Sequence, residues 1–205
     1  PTRRSSDLKK GSVIIIHTVY CVLGRTGSGK STVTKEVAKQ LNMNTLRSYS
    51  TRQYLRQGET KENSDHILIS PDEIEKYRND MIAYTDRVGY CNFATKQQLL
   101  DNDFYIINPT GYDELKLKTK DMDIELVTIM VNIPYNDLRQ RARKRGDYDA
   151  WQANYIKESE EFSNFEKSNL IDYFVLNDRS LEESVAKMVR VINKDRAKRG
   201  ITNEK

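Results

Sequence analysis

Cysteine is scarce: the chain holds only Cys21 and Cys91, too few for a disulfide framework and without the spacing of a metal-binding set. Cys21 falls in an apolar stretch and is expected to pack as a small hydrophobe. Long hydrophobic runs are also missing. None reaches the roughly 20 apolar residues of a membrane-crossing helix, so no membrane association is expected. The opening PTRRSSDLKKGSVIII has basic residues and a short apolar stretch but no small-residue cleavage pattern, and the expected compartment is the cytoplasm. Nor does one charge sign dominate. Against 30 Asp and Glu stand 34 Lys and Arg, and the net charge of +4 suits an anionic small molecule as well as a nucleic-acid surface. The clustered basic residues sit at the tails, Arg3, Arg4, Lys9 and Lys10 at one end and Lys194, Arg196, Lys198 and Arg199 at the other. Solvated charge is the plainer reading of such clusters, and no nucleic acid is expected as a partner. With 37% apolar and 31% charged residues the chain is wetter than an ordinary domain. Yet runs such as ELVTIMV (125 to 131) and FYIIN (104 to 108) exclude disorder.

A chain of 205 residues suits one compact domain, expected over 13 to 196 with tails at 1 to 12 and 197 to 205. The apolar run from Val13 to Leu23 predicts a first strand ending at Gly24. From Ser31, Val33, Val37, Ala38 and Leu41 recur at helical spacing, and the helix should stop near Asn42. The same unit repeats: FYIIN before a helix around Asp113 to Lys118, IELVTIMVN before Pro134 to Arg145, and DYFVLN (172 to 177) before Leu181 to Ile192. Strands alternating with helices predict an α/β fold, a parallel sheet with helices on both faces. Between the first helix and FYIIN the pattern shortens to ILIS (67 to 70), MIAYT (81 to 85) and YCNFAT (90 to 95), with Gly58 and Gly89 as turn signals. This predicts a small mixed or mostly antiparallel insertion over 47 to 101, interrupting a core made of 13 to 46 and 102 to 196.

Gly24 to Ser31 spell GRTGSGKS, a G-x-x-x-x-G-K-[ST] phosphate loop between a predicted strand and a predicted helix. Gly24, Gly27 and Gly29 are expected to let the backbone take positive φ and approach phosphate oxygens, with amides at the helix N-terminus aimed at the anion. Lys30 would bring positive charge to the β- and γ-phosphates, Ser31 would ligate Mg²⁺, and Thr32 would touch the α-phosphate. The motif predicts a bound nucleoside triphosphate but leaves the reaction open.

The stretch RSYSTRQYLRQGETKENSDHILIS (47 to 70) resembles the guanylate kinase family, which carries Ser-x-Thr-Thr-Arg and then a second Arg before Gly-Glu. Ser48, Thr51, Arg52, Arg56, Gly58 and Glu59 match, with one extra residue between the arginines and His66 in place of the family's Tyr. Two arginines suit a doubly charged monophosphate, because each guanidinium can pair bidentately with phosphate oxygens. GYCNFAT (89 to 95) resembles the family's Gly-x-x-Tyr-Gly-Ser segment through Phe93 and Thr95. DLRQRARKRGD (137 to 147) resembles the entry of its lid through Arg141 and Arg145, which share one helical face. FVLNDRSLEES (174 to 184) resembles its Asn-Asp step, with Asn177 beside the adenine. The resemblance implies a three-layer P-loop NTPase fold with an acceptor-binding insertion and a helical lid at about 139 to 165. It also implies an enzyme that uses ATP and Mg²⁺ to phosphorylate a nucleoside monophosphate, GMP or dGMP foremost. Lys30, Arg141 and Arg145 would be catalytic, and Ser48, Arg52, Arg56, His66, Phe93, Thr95 and Asn108 would line the acceptor side.

Three positions depart from that pattern. Ala83 stands where the family places a guanine-reading Glu, Asn108 where it places an Asp, and AWQANYIK (150 to 157) offers only Lys157 where the lid has a further Arg. In an extended strand Ala83 and Thr85 would share one face. These departures point to shifted specificity. The alternatives are a guanylate-kinase-like module that binds partners with little catalysis, and a kinase of another small phosphorylated acceptor. His17 has no partner motif and is expected to be structural.

Overall fold

The computed structural model describes residues 17 to 55, 59 to 87 and 89 to 200. The N-terminal tail, the start of the first apolar run at Val13, and the expected site and turn residues Arg56 and Gly58 lie outside them.

In chain order the elements are β1 (His17–Leu23), α1 (Lys30–Leu41), β2 (Thr45–Leu46), β3 (Ser48–Ser50), β4 (His66–Leu68), a 3-10 helix (Pro71–Tyr77), β5 (Met81–Arg87) and β6 (Tyr90–Thr95). There follow α2 (Lys96–Leu100), β7 (Phe104–Ile106), α3 (Pro109–Lys118), β8 (Ile124–Asn132), α4 (Tyr135–Arg145), α5 (Tyr148–Lys167), β9 (Tyr173–Leu176) and α6 (Leu181–Lys198). The main sheet runs β2-β7-β1-β8-β9, and every pairing in it is parallel. Its central strand, β1, is buried from Val19 to Leu23, as an unbroken apolar run predicts for a strand covered on both faces.

The alternation of β1 side chains divides the core in two. Val19, Cys21 and Leu23 point into a cluster with Tyr112 and Leu115 of α3 and Phe162 and Phe165 of α5. Tyr20 and Val22 point the other way, onto Val33 and Val37 of α1 and Met188 and Ile192 of α6. The result is three layers, helix on sheet on helix. α1 ends where expected: Asn42 takes a left-handed φ of 52°, and its amide bonds back to the carbonyls of Ala38 and Lys39.

The insertion forms a separate sheet, β4-β3-β6-β5. It is mixed, since β3 pairs antiparallel with β6 but parallel with β4. β5 departs from simple alternation. Its register slips between Ile82 and Thr85, and Ala83, buried in the main core, has φ 51°. The bulge disturbs the ladder at Ala83, yet Ala83 and Thr85 are both buried while Tyr84 and Asp86 are exposed.

The C-terminal basic cluster is not wholly a solvated tail. α6 continues past the expected boundary to Lys198, and Arg199 binds Glu125 at 2.6 Å and Asp195 at 2.7 Å. Asp195 is buried and also accepts hydrogen bonds from the Tyr20 and Tyr173 hydroxyls. A carboxylate at that depth needs these partners, and they tie the end of α6 to the sheet. His17 is held between the carbonyls of Leu99 and Asn102, a structural role. Cys21 is fully buried, and burial pushes its thiol far above the ordinary range. Among the described residues no helix is long and apolar enough to cross a membrane.

Candidate functional site

The phosphate loop leaves the end of β1 and turns into α1 at Lys30. Gly24 serves it through close approach and not through positive φ: a Cβ there would lie 2.6 Å from the Val131 carbonyl oxygen. Gly27 and Gly29 do take positive φ, 85° and 80°. Gly29 is the N-cap of α1 and supplies no side-chain cap, so the amides of the first turn are available to an anion. Lys30, Ser31 and Thr32 all stand on that turn.

Three distant elements converge on the loop. After β9, Asn177 donates its amide to Ser28 O at 2.7 Å and accepts from the Ser184 hydroxyl at 2.8 Å. It is buried, and its polar atoms are engaged by the loop and by α6, so Asn177 braces the loop and is not open to an adenine. Arg141 of α4 donates to Asn177 O at 2.8 Å and reaches Ser28 O at 3.5 Å. Burial, with Arg145 nearby, lowers its pKa from the usual arginine value, partly offset by Asp137. Arg145 does not join it: its guanidinium is bound to Asp147 in an exposed pair at 3.1 Å.

α5 supplies the third grip. Trp151 donates its indole N–H to Thr26 O at 3.0 Å, and the Glu158 carboxylate accepts from the Thr26 amide at 2.6 Å. Arg25 pairs with Glu166 at 3.2 Å and lies over the rings of Tyr155 and Phe162. Burial pushes the Glu158 carboxyl above its ordinary value despite the Thr26 amide and the charges of Lys30 and Arg25. A carboxylate thus sits against the phosphate loop from the helix where the resemblance implies a lid.

From the insertion, Asp65 reaches the loop directly. Its Oδ2 accepts from the Ser31 hydroxyl at 2.6 Å, and its Oδ1 lies 2.7 Å from Lys35 Nζ, one turn further along α1. Burial alone would raise the Asp65 carboxyl; the hydrogen bonds from Lys35 and Ser31 and the Lys35 charge outweigh it and hold the group below the usual value. One residue on, His66 Nδ1 lies 2.8 Å from Ser48 Oγ. Ser31 and Asp65 offer hard oxygen donors, the chemistry that Mg²⁺ takes. No cluster of three or more His, Cys, Asp or Glu among the described residues could hold a metal alone, so the ion would also need phosphate oxygens.

Other expected acceptor residues are used differently. Arg52 is buried and not an open arm: both terminal nitrogens are bound to Glu59, at 2.8 and 2.9 Å. Phe93 is fully buried against Tyr49 and Tyr77 and presents nothing to a ligand. The Thr95 hydroxyl caps α2, accepting from the Gln98 amide at 3.2 Å while Gln98 returns the bond. Asn108 donates its amide to Glu161 of α5 at 2.7 Å. Where the sequence has Ala83 in place of a Glu, Glu114 arrives from α3 instead, accepting from the Tyr84 amide. Burial raises the Glu114 carboxyl despite that bond.

The residues that sequence reasoning missed are Asp65, Trp151, Glu158 and Glu114. Only Asp65 carried a signal, standing beside His66 in the stretch already singled out. The other three lie on helices whose patterns look like ordinary amphipathic surface.

Residues 21 to 168 match the family model described as an AAA domain. No curated protein matches the chain. Among solved structures, guanylate kinase from Anaplasma phagocytophilum matches with a TM-score of 0.61 at 18% identity, over 88% of this chain and 86% of that one. At that identity the likeness speaks for the fold alone.

Proposed function

The chain belongs to the AAA domain family and has the fold of guanylate kinases, and from that premise we propose that it transfers the γ-phosphoryl group of ATP to a nucleoside monophosphate, GMP or dGMP foremost. The observation that carries this reading is the hydrogen bond from Ser31 to Asp65. It joins the phosphate loop to the insertion one residue before His66 meets Ser48. Phosphoryl transfer needs such proximity, because donor and acceptor must be aligned within one cleft.

In the proposed reaction an acceptor phosphate oxygen attacks the γ-phosphorus while its bond to the β–γ bridging oxygen breaks, leaving ADP and a nucleoside diphosphate. Lys30 and the first-turn amides of α1 meet the negative charge on the β- and γ-oxygens, and Arg141 adds positive charge from the side of Ser28. Mg²⁺, held by Ser31 together with the nucleotide, would supply charge neutralisation. Ser48 and His66 begin the acceptor side. Arg56 is the proposed phosphate arm, with Arg52 bracing its loop through Glu59. Guanine presents two N–H donors on one edge, and Glu114, in place of a strand carboxylate at position 83, is the acceptor we assign to them.

A coupled ADP-release assay over the common ribo- and deoxyribonucleoside monophosphates tests the reading. Wild type should turn over at least one, and Lys30→Ala should stay folded and lose roughly 10²- to 10³-fold in kcat. Absence of turnover on every monophosphate, or a Lys30→Ala variant that keeps half the rate, would sink it.

A further inference from the structure

We propose that Asp65, carried by the insertion, is the carboxylate that partners Ser31 in holding the divalent cation of the bound triphosphate. The inference rests on the reading of the loop as a triphosphate site and adds a residue to it. A divalent cation beside a neutral serine hydroxyl calls for negative charge from the protein as well as from the nucleotide. Asn108, the N-cap of α3 just past β7, cannot give it. Its side chain is neutral, and its donor nitrogen is turned to Glu161. Two other carboxylates near the loop are already committed, Glu158 to the Thr26 amide and Glu161 to Asn108 and Thr110. Asp65 instead accepts the proton of the Ser31 hydroxyl itself, at 2.6 Å. That bond orients the hydroxyl hydrogen toward the carboxylate and leaves the oxygen lone pairs for a cation.

Lys35 keeps the arrangement in place. It lies one turn after Ser31 on α1, 2.7 Å from the second Asp65 oxygen, and also donates to Asn63 O at 2.7 Å. The carboxylate is therefore charged and pinned against α1. Because Asp65 adjoins His66, which meets Ser48, cation binding at the loop and the position of the acceptor-side residues become linked. An arrangement that only clamped the insertion to α1 would need Asp65 and Lys35 but would not distinguish ATP from Mg-ATP.

The test is the ratio of ATP dissociation constants in EDTA and in saturating Mg²⁺, measured by calorimetry on the full chain. Wild type should favour Mg-ATP. Asp65→Asn should cut that preference by about 10-fold or more, the scale of losing a partner of a metal ligand, and Asp65→Ser should repeat the loss should the first variant fold poorly. Asp65→Glu should retain most of the preference, and Asn108→Asp should leave it within about twofold, well inside that scale. Equal changes in both constants for Asp65→Asn and Asp65→Ser, leaving the ratio as in wild type, would overturn the inference. A wild type that binds ATP in neither condition would instead refute the kinase reading itself.

Discussion

The phosphate loop is assembled from one contiguous stretch, Gly24 to Ser31, whereas the insertion brings its polar groups together from β3, β4 and the segments flanking them. In the loop each residue has its position set by its neighbours: two glycines at positive φ and a helix that starts at Lys30. In the insertion, chemistry depends on which partner a side chain finds. Arg52 finds Glu59, Thr95 finds the Gln98 amide, and Phe93 finds two tyrosines. A contiguous motif carries its geometry with it, while an arginine or threonine in a sheet becomes a ligand arm or a brace according to tertiary contacts. The two regions meet through the Ser31 to Asp65 bond.

The sharpest way to break this contrast is at Arg52. Its side chain is 0% exposed and that of Glu59 is 13% exposed, so Arg52→Ala removes one member of a buried pair. The expected cost is about 3 to 5 kcal/mol in urea unfolding. A loss under about 1 kcal/mol, the range of an exposed pair, would mean that the pair opens in solution and that Arg52 is available as a phosphate arm.

A smaller effect is expected at Glu158, on the loop side of the comparison. Glu158→Gln removes a negative charge beside the Thr26 amide and should tighten ATP binding by about threefold to tenfold, the scale of one like charge near the surface. Its raised carboxyl also gives a pH signature. The folded state disfavours ionisation, so the associated stability is complete below the ordinary value of 4.5 and is lost as pH rises through the higher folded value. Thermal unfolding of wild type should show that decline from pH 4.5 upward, and the Gln variant should lack it. Unchanged ATP affinity would place Glu158 away from the path of the phosphates.

The smallest effect belongs to Arg145. Its pair with Asp147 has side chains 45% and 40% exposed, and such pairs contribute about 0 to 1 kcal/mol. Arg145→Ala should therefore leave urea stability unchanged within that range, and ATP affinity with it. A clear loss of ATP affinity would return Arg145 to the nucleotide and make its pairing with Asp147 a feature of the ligand-free state.

Much of the fold was legible in the sequence because its signals are local. Hydrophobic periodicity gave four of the five strands of the main sheet, missing only the two-residue β2 at its edge, and Asn42 ended α1 by a left-handed turn that asparagine tolerates. The insertion was legible as short strands of a mixed or antiparallel sheet, but not the bulge at Ala83, since register depends on what each face packs against. On the site, the glycine-rich loop lies between the strand and the helix that the sequence predicted, with Gly27 and Gly29 but not Gly24 at positive φ. Asn108, Asn177, Phe93 and Thr95 are held by partners within the fold that the sequence did not indicate.

By itself, then, the sequence determined the phosphate loop, the strand and helix that frame it, and the alternating order that makes a parallel sheet, since each follows from spacing within a few residues. Tertiary structure decided which carboxylate faces Ser31, which helix grips Thr26 and whether Arg52 is an arm or a brace. Those outcomes depend on contacts between residues far apart in the chain, such as Thr26 with Glu158 and Ser31 with Asp65. Burial makes them consequential, because a charged or polar group removed from water must find a partner, and only the packed fold specifies which one.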